Sequence, residues 1–439
     1  MTIASDTIFA LSSGALPSGI AVVRISGPAT RDVLMAMMGE VPEARHAKLA
    51  TFRASDEMVL DRGLCLFFPA PTSFTGEDCA ELHLHGGRAV VAAVIDALSV
   101  RGLKLAEAGE FTKRAFLNGK IDLTAAEALS DLIAAETEAQ RRFAIDNSTE
   151  SHRQLYGSWR ARLIHARAMI EAELDFSDEA DVPGSVAAAV WDDVRTLQRE
   201  IAEHAAGYRH AEIIREGFRV VILGAPNSGK SSLLNALARR DVAIVTDEPG
   251  TTRDVLEVNL DIAGMKVVLA DTAGVRRAAG KVEAIGIERS LQRAREADLV
   301  MVLEDASAPV LVRAPPDKSV IKVGNKCDLI ARDQLPIRYD VLVSARTGEG
   351  LDELIRRIQL ACEAYTNTAG SILPFRARHV ALLQEASDAL HAALSLEGAG
   401  LEIRAEGLRA AGVALGCISG EVDVEHLLDA IFSSFCIGK

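Results

Sequence analysis

Positive charge is what this chain has least of for its size. Lys and Arg number 48 against 62 Asp and Glu in 439 residues, a formal net charge of −14. An acidic chain is no general nucleic-acid binder, so any RNA contact must use a local basic patch or a partner. Cysteine is scarce as well. The six (Cys65, Cys79, Cys327, Cys362, Cys417 and Cys436) include no C-x-x-C pair and no even spacing. That argues against a disulfide framework or a zinc site and leads us to expect a reduced, cytoplasmic setting. No apolar run reaches the length of a membrane span, so no membrane is expected. Residues 1–6 lack the basic start and apolar stretch of a secretory leader. Internal repeats and low-complexity segments are missing too. What remains, at 49% hydrophobic residues, is a globular chain long enough for about two to four domains.

The most specific feature present is Gly224-Ala225-Pro226-Asn227-Ser228-Gly229-Lys230-Ser231-Ser232. It fits G-x-x-x-x-G-K-[ST], the phosphate loop of P-loop NTPases. The apolar run Val220–Leu223 before it reads as a buried strand, and Ser232–Leu237 after it as a helix. A strand, a Gly-rich turn and a helix N-terminus direct backbone N–H groups and the helix dipole onto phosphate. Lys230 is expected to reach the β- and γ-phosphates and Ser231 to ligate Mg²⁺. Asp271-Thr272-Ala273-Gly274 ends a second apolar run, where an Asp can hold Mg²⁺ through water and a Gly N–H can sense the γ-phosphate. Asn325-Lys326-Cys327-Asp328 ends a third. The Asp328 carboxylate can accept the ring N–H and exocyclic amine of guanine, a donor pair that adenine lacks on that edge. Ser344-Ala345-Arg346 follows Val341–Val343 as a third base loop. All of these in order, each at a strand end, define a GTPase domain on a parallel sheet.

Around it the pattern changes. Residues 1–118 read as α+β, with strands at Gly19–Ile25, Gly63–Phe68 and the alternating Glu81–His85. Residues 119–214 switch to helical spacing. Thr124-Ala125-Ala126-Glu127 reads as a capping box, with Ala125, Ala128, Leu129, Leu132 and Ile133 on the inner face. Leu155, Trp159, Leu163, Ala166, Ile170 and Leu174 continue at steps of three and four. The GTPase segment spans 215–370, and 371–439 turns helical again. That tail is short for a core of its own, so the expected fold is a P-loop GTPase domain inserted in one split all-α domain, after an N-terminal α+β domain.

The GTPase site has two unusual positions. Val275 stands where many GTPases carry the Gln that orients the attacking water, and it cannot hydrogen-bond. The nearby acid in the following stretch is Glu283, a candidate for the water or a solvated helix-start carboxylate. Asn227 lies inside the phosphate loop, where an amide oxygen can help hold a monovalent cation or simply serve the turn. Thr246-Asp247-Glu248-Pro249-Gly250-Thr251-Thr252 forms the first switch segment, and its carbonyls and hydroxyls can complete such a site. A K⁺ there stabilises phosphate charge as an arginine finger does elsewhere.

Several segments together resemble the MnmE (TrmE) family of tRNA uridine-5-carboxymethylaminomethyl modification GTPases. They are Val23–Gly27, Ser73–Asp78, Gly109–Asn118 with Lys120, Gly250–Asp254, Ser344–Gly350 and the terminal Phe432–Lys439. The resemblance spans essentially the whole chain, and its specific part lies in the N- and C-terminal motifs. It implies a folate-binding N-terminal domain, a homodimer through that domain, and a heterotetramer with a separate FAD-dependent partner, MnmG (GidA), with FAD only in the partner. It further implies that the complex modifies carbon 5 of a tRNA wobble uridine, with a tetrahydrofolate derivative supplying the one-carbon unit and glycine or ammonium the amine. Carried over by position, Arg24, Glu81, Lys120 and Lys439 fall on folate-site residues, Asn227, Thr246, Glu248 and Thr251 on K⁺ ligands, Ser231 and Thr252 on Mg²⁺ ligands, Glu283 on the water-handling residue and Cys436 on a thiol of the modification chemistry. The loop Ser12–Gly19 departs from the expected Thr-Pro-x-Gly-x-Gly form, and the segment between Glu304 and Val320 is short for the family.

Two rival readings are a ribosome-assembly GTPase and a non-enzymatic GTP switch; neither needs the N-terminal folate motifs or the Cys436 terminus. For RNA contact, two arginine groups stand out: Arg376 and Arg378 with His379, and Arg160, Arg162 and Arg167. Each is equally readable as a solvated helix face.

Overall fold

The computed structural model describes residues 6–148, 151–175, 185–240, 242–244, 257–271, 292–331, 338–366, 372–396, 400–422, 425–433 and 435–438. The chain divides into two compact units. The first comprises residues 1–130, 152–175 and 405–439, and the second residues 131–151 and 176–404. Helices from both flanks of the GTPase segment are thus distributed over both units.

The first unit is built on a six-stranded sheet. Its strands are β1 (Ile8–Leu11), β2 (Ser18–Ser26), β3 (Lys48–Arg53), β4 (Val59–Phe68), β5 (Cys79–Gly86) and β6 (Lys104–Leu105), in the order β3-β4-β5-β2-β1-β6. All pairings are antiparallel except β1 with β6. Alternation sets the faces. In β5, Ala80, Leu82 and Leu84 are buried, and they join Val23, Ile25, Phe52 and Phe67 under the helices Thr30–Met38 and Arg88–Val100. Each of the Leu, Val, Ile and Phe side chains contributes about 1.5–3 kcal/mol on burial. Arg24, Glu81 and His83 take the other face by the same period of two. Arg24 stands directly opposite Glu81 in register.

Further described helices of this unit are Glu110–Leu117, residues 123–130 of Leu123–Ala134, residues 152–175 of Ser151–Asp175, residues 405–419 of Leu401–Ser419, and Glu425–Phe432. Trp159, Leu163, Ala166 and Ile170 are buried as the helical spacing predicts, but the next buried position toward the N-terminus is Tyr156, and Leu155 is only half-buried. The start of Leu123–Ala134 corrects the sequence reading. Asp122 is the capping residue, its carboxylate accepting from Ala125 N (2.7 Å) and Thr124 Oγ1 (2.8 Å). Thr124 is already inside the helix, and the buried residues are Leu123, Thr124, Ala126, Glu127 and Ala128; of the expected inner face Ala128 is buried, while Ile133 is exposed. Leu123 and Ala126 pack on Leu428, Phe432 and Phe435. The chain's last described residues return to the sheet: Ile437 bridges Ala108, and Ser12 Oγ donates to Gly438 O at 2.8 Å.

The second unit holds the other sheet: β7 (Phe218–Leu223), β8 (Glu257–Ile262), β9 (Met265–Asp271), β10 (Leu299–Asp305), β11 (Val320–Asn325) and β12 (Val341–Leu342). The order is β12-β11-β10-β7-β9-β8, parallel except for β8 with β9. Parallel strands covered on both faces read as continuous apolar runs. Five consecutive residues of β10, Leu299–Leu303, are buried. The helices Lys230–Ala238 and Leu351–Thr366 belong to the same α/β part. Beside them Ser185–Ala206 packs along Ala377–Ser395, joined by Gln198 Nε2 donating to Ser387 Oγ at 3.0 Å.

Candidate functional site

The phosphate loop leaves β7 at Gly224 and enters the Lys230–Ala238 helix through Gly229. Asn227 and Gly229 both have positive φ, +64° and +94°. Gly229 is required twice over: its conformation is left-handed, and a Cβ there would lie 2.2 Å from Asn325 Nδ2. The Lys230 ammonium donates to the carbonyls of Gly224 (2.8 Å) and Ala225 (3.0 Å), holding a cation within the loop. Ser231 Oγ donates to Asp271 Oδ2 at 3.0 Å. That hydroxyl and carboxylate, brought together from the helix start and the end of β9, are the hard oxygen donors that Mg²⁺ takes.

The base loops join at Asn325, which is 1% exposed at the end of β11. Its Nδ2 donates to Ser228 O at 2.9 Å, and its Oδ1 accepts from Ala345 N at 3.2 Å. One side chain therefore ties the phosphate loop to the Ser344-Ala345-Arg346 loop. Lys326 donates to Asn227 O (3.0 Å) and Asp305 Oδ2 (2.6 Å). The Asp328 carboxyl is held below its ordinary value by the Ser344 hydroxyl, with a further contribution from Arg346, whose guanidinium lies 2.9 Å away. Asp328 thus stays a carboxylate at neutral pH, as an acceptor for two guanine donors must. Burial pushes the neighbouring Cys327 thiol up.

The structure brings together Asn227, Ser228, Gly229, Lys230, Ser231, Asp271, Asn325, Lys326, Asp328 and Ala345 at the carboxyl ends of β7, β9, β10 and β11. Thr246 through Thr252, Thr272, Ala273, Gly274, Glu283 and Lys439 lie outside the described residues.

In the first unit a second constellation forms. Arg24 Nη2 donates to Glu81 Oε1 at 2.9 Å, and Nε to the same oxygen at 3.2 Å. The rings of Phe74 and Phe111 stand 5.9 and 5.7 Å from the guanidinium carbon. Lys120 Nζ donates to Pro71 O at 2.7 Å, and Asn118 Nδ2 to Thr75 O at 2.7 Å, pinning the Ser73–Asp78 loop. The sequence reading passed over His83. Its Nε2 is 3.5 Å from Glu81 Oε2 and makes no hydrogen bond. The two-residue spacing from Glu81 on an alternating strand was the available signal. Cys436 is exposed, and Gly109 N donates to its carbonyl at 3.4 Å. The tail then reaches Leu11, one residue past Ala10, which pairs with Arg24. Arg376, one of the expected RNA contacts, instead pairs with Asp131 at 2.8 Å, and His379 is fully buried. Arg376 and Arg378 are both partly exposed at this helix start.

Phosphate loop, hydroxyl–carboxylate pair and the Asn325–Asp328 loop at the carboxyl ends of the parallel strands of one sheet define a P-loop GTP hydrolase, here joined to a separate α+β sheet domain. Comparison with known proteins makes this particular. Residues 7–120 match the family model described as GTP-binding protein TrmE N-terminus, and residues 123–436 match the MnmE helical domain. The chain is 69% identical over 435 residues to the tRNA modification GTPase MnmE of Chelativorans sp. (strain BNC1), covering 99% of this chain and 98% of that protein. It is 57% identical to the protein so named from Mesorhizobium japonicum, covering 100% of each, and 53% identical to that of Brucella ovis, covering 99% and 98%. The chain belongs to the MnmE family of tRNA modification GTPases. Among the described residues no helix is long and apolar enough to cross a membrane.

Proposed function

We propose that this chain is a potassium-dependent GTPase that, with an FAD-dependent partner, adds an aminomethyl or carboxymethylaminomethyl group to carbon 5 of a tRNA wobble uridine. The observation that carries the reading is the presence of two separate constellations in one chain of this family. One is the Lys230, Ser231–Asp271 and Asn325–Asp328 site, and the other is the Arg24–Glu81 pair with its aromatic neighbours.

In the first, Ser231 and Thr252 would hold Mg²⁺, with Asp271 reaching it through water, and Lys230 and the loop N–H groups would bind the phosphates. Asp328 selects guanine. Asn227, with Thr246, Glu248 and Thr251, is assigned to K⁺, and Glu283 to positioning the hydrolytic water. In the second, Glu81 is the acceptor for ring and amino N–H groups of a tetrahydrofolate derivative, while Arg24 fixes that carboxylate. Lys120 and Lys439 supply cations for its acidic tail. When bound, the folate supplies the one-carbon unit. Cys436 lies on the tail that reaches this sheet, and its thiol is assigned to the modification chemistry. The active form is a homodimer through the N-terminal domain, in a heterotetramer with MnmG, acting in the cytoplasm. The domain limits 1–118, 119–214, 215–370 and 371–439 are part of the same proposal.

The test is complementation of a deletion strain, with mass spectrometry of tRNA nucleosides. The chain restores the modified wobble uridine, and Cys436→Ser keeps GTP turnover but does not restore it. Failure of the unaltered chain overturns the reading, and full restoration by Cys436→Ser removes that thiol from the chemistry.

A further inference from the structure

His83 stands on β5 between Val22 of β2 and Leu64 of β4, its direct partners in register. Its Nε2 is sealed from solvent and makes no hydrogen bond, although the side chain as a whole is 29% exposed. A buried polar atom without a partner is costly, so its placement calls for a reason. The charged neighbour of that nitrogen is Glu81 Oε2, 3.5 Å away.

The two oxygens of Glu81 are not equivalent. Oε1 accepts both Arg24 bonds, from Nη2 at 2.9 Å and from Nε at 3.2 Å. Oε2 takes neither, and it is the oxygen that His83 faces. A carboxylate receives two parallel N–H groups on its two oxygens. The ring and amino N–H groups of a tetrahydrofolate derivative therefore need Oε2 as well as Oε1, and whatever occupies Oε2 sets the affinity.

An imidazole can meet that oxygen in two ways. Neutral, with its proton on Nδ1, it turns a bare lone pair toward Oε2, and two acceptors do not bond. The contact of 3.5 Å without a hydrogen bond fits that form. Protonated, the ring donates from Nε2, and a closure of about half an ångström makes a charge-assisted bond. We propose, on the folate reading of this site, that His83 is a positioning residue for Glu81. Neutral, it leaves Oε2 open to the ligand's second N–H; protonated, it closes that oxygen, so the site weakens as pH falls.

The surroundings leave this exchange to the pair. By alternation, the charged or titratable groups on the same face are Glu81 and His85 of β5, Arg24 of β2 and Arg62 of β4. Arg24 is committed to Oε1, and His85 Nδ1 lies 2.8 Å from another acid, Asp61. The two arginines stay charged at every pH of interest. Between pH 5 and 8 the histidines are the side chains of this face whose ordinary titration falls in range.

The test titrates 5-methyltetrahydrofolate into the full chain by calorimetry, in steps from pH 8 to pH 5.5. One pH unit below an ordinary imidazole titration roughly a tenth of the sites are neutral, so the dissociation constant is expected to rise about tenfold. His83→Gln and His83→Leu both remove the titration; the first keeps a polar side chain and the second matches Leu64 and Val22 beside it. In both the step is expected to vanish, while His85→Gln, two residues along the same face, keeps it. Protonation of the ligand and of Glu81 is common to all these chains, so the difference between profiles isolates His83. Circular dichroism checks that each variant is folded. A flat profile of the unaltered chain, a step that survives in the His83 variants, or a step lost in His85→Gln overturns the proposal and leaves the folate reading standing. Absence of ligand binding by the unaltered chain at every pH overturns both.

Discussion

Asn325 is where removing one amide should cost most. Its amide makes one bond to Ser228 O (2.9 Å) and one from Ala345 N (3.2 Å), and the residue is 1% exposed. Asn325→Ala strands a carbonyl and an N–H together. Each buried group left without a partner costs about 1–3 kcal/mol. Ala345 is only partly buried and can recruit water, so the expected loss is about 2–4 kcal/mol for the GTPase unit rather than the full sum. The same bonds fix the phosphate loop against the base loop. If half of that energy is expressed in nucleotide binding, GTP affinity falls by about tenfold, at about 1.4 kcal/mol per decade. Asn325→Asp is the sharper companion. It is nearly isosteric and keeps an acceptor for Ala345, but it turns the donor toward Ser228 into a second acceptor facing a carbonyl. It should therefore be at least as damaging as alanine. Urea unfolding followed on the GTPase unit, with and without GDP, and titration with a fluorescent GTP analogue give both numbers. A stability loss below about 0.5 kcal/mol together with unchanged affinity would refute the assignment of Asn325 as the link between the loops.

Asp328→Asn should weaken GTP by about two orders of magnitude or more and favour xanthosine triphosphate, whose carbonyl complements an amide; unchanged GTP affinity in a competition assay rules this out. GTP turnover should be low in Na⁺ and rise in K⁺, and Glu283→Ala should cut it about a hundredfold with binding intact. Equal rates in the two salts, or normal turnover of the variant, would move those roles elsewhere. Burial pushes the Cys65 and Cys362 thiols up to about 12 from an ordinary 9.0. The folded chain therefore holds two protons that the unfolded chain releases sooner. This contribution is fully present below pH 9 and lost as pH rises toward 12. At pH 8 mass spectrometry after brief alkylation should find exposed Cys436 modified and these two untouched; rapid labelling of Cys65 or Cys362 would contradict their burial.

How much of this could be read beforehand follows from physical periods. The strands β7, β9 and β11 announced themselves because parallel strands buried on both faces read as apolar runs ending in polar motifs. The β10 run Leu299–Leu303 carries the same signal but ends in Glu304 and Asp305, which match no familiar motif, so the Asp305–Lys326 pair stayed hidden. β1 and β6 are too short to show a period at all. The Asp122 cap was displaced onto Thr124 because both positions offer a side-chain oxygen, and only geometry says which one lies outside the first turn. The Arg24–Glu81 pairing needs the register of β2 against β5, a non-local fact. The Arg376–Asp131 pair could not be read beforehand because the partners lie 245 positions apart.

The return of the final residues to the first sheet has a consequence for the order in which the protein is made. Residues 176–404, which take no part in the first unit, number 229 and are synthesised between its middle and its end. At roughly 5–20 residues per second the ribosome spends about 10–50 s on them. Through that interval Leu123 and Ala126 are already outside, while Leu428, Phe432 and Phe435, which will cover them, do not yet exist. The nascent chain thus carries an uncovered apolar patch on its oldest part until its youngest part arrives, and slow decoding within 176–404 would lengthen that exposure without altering the finished protein.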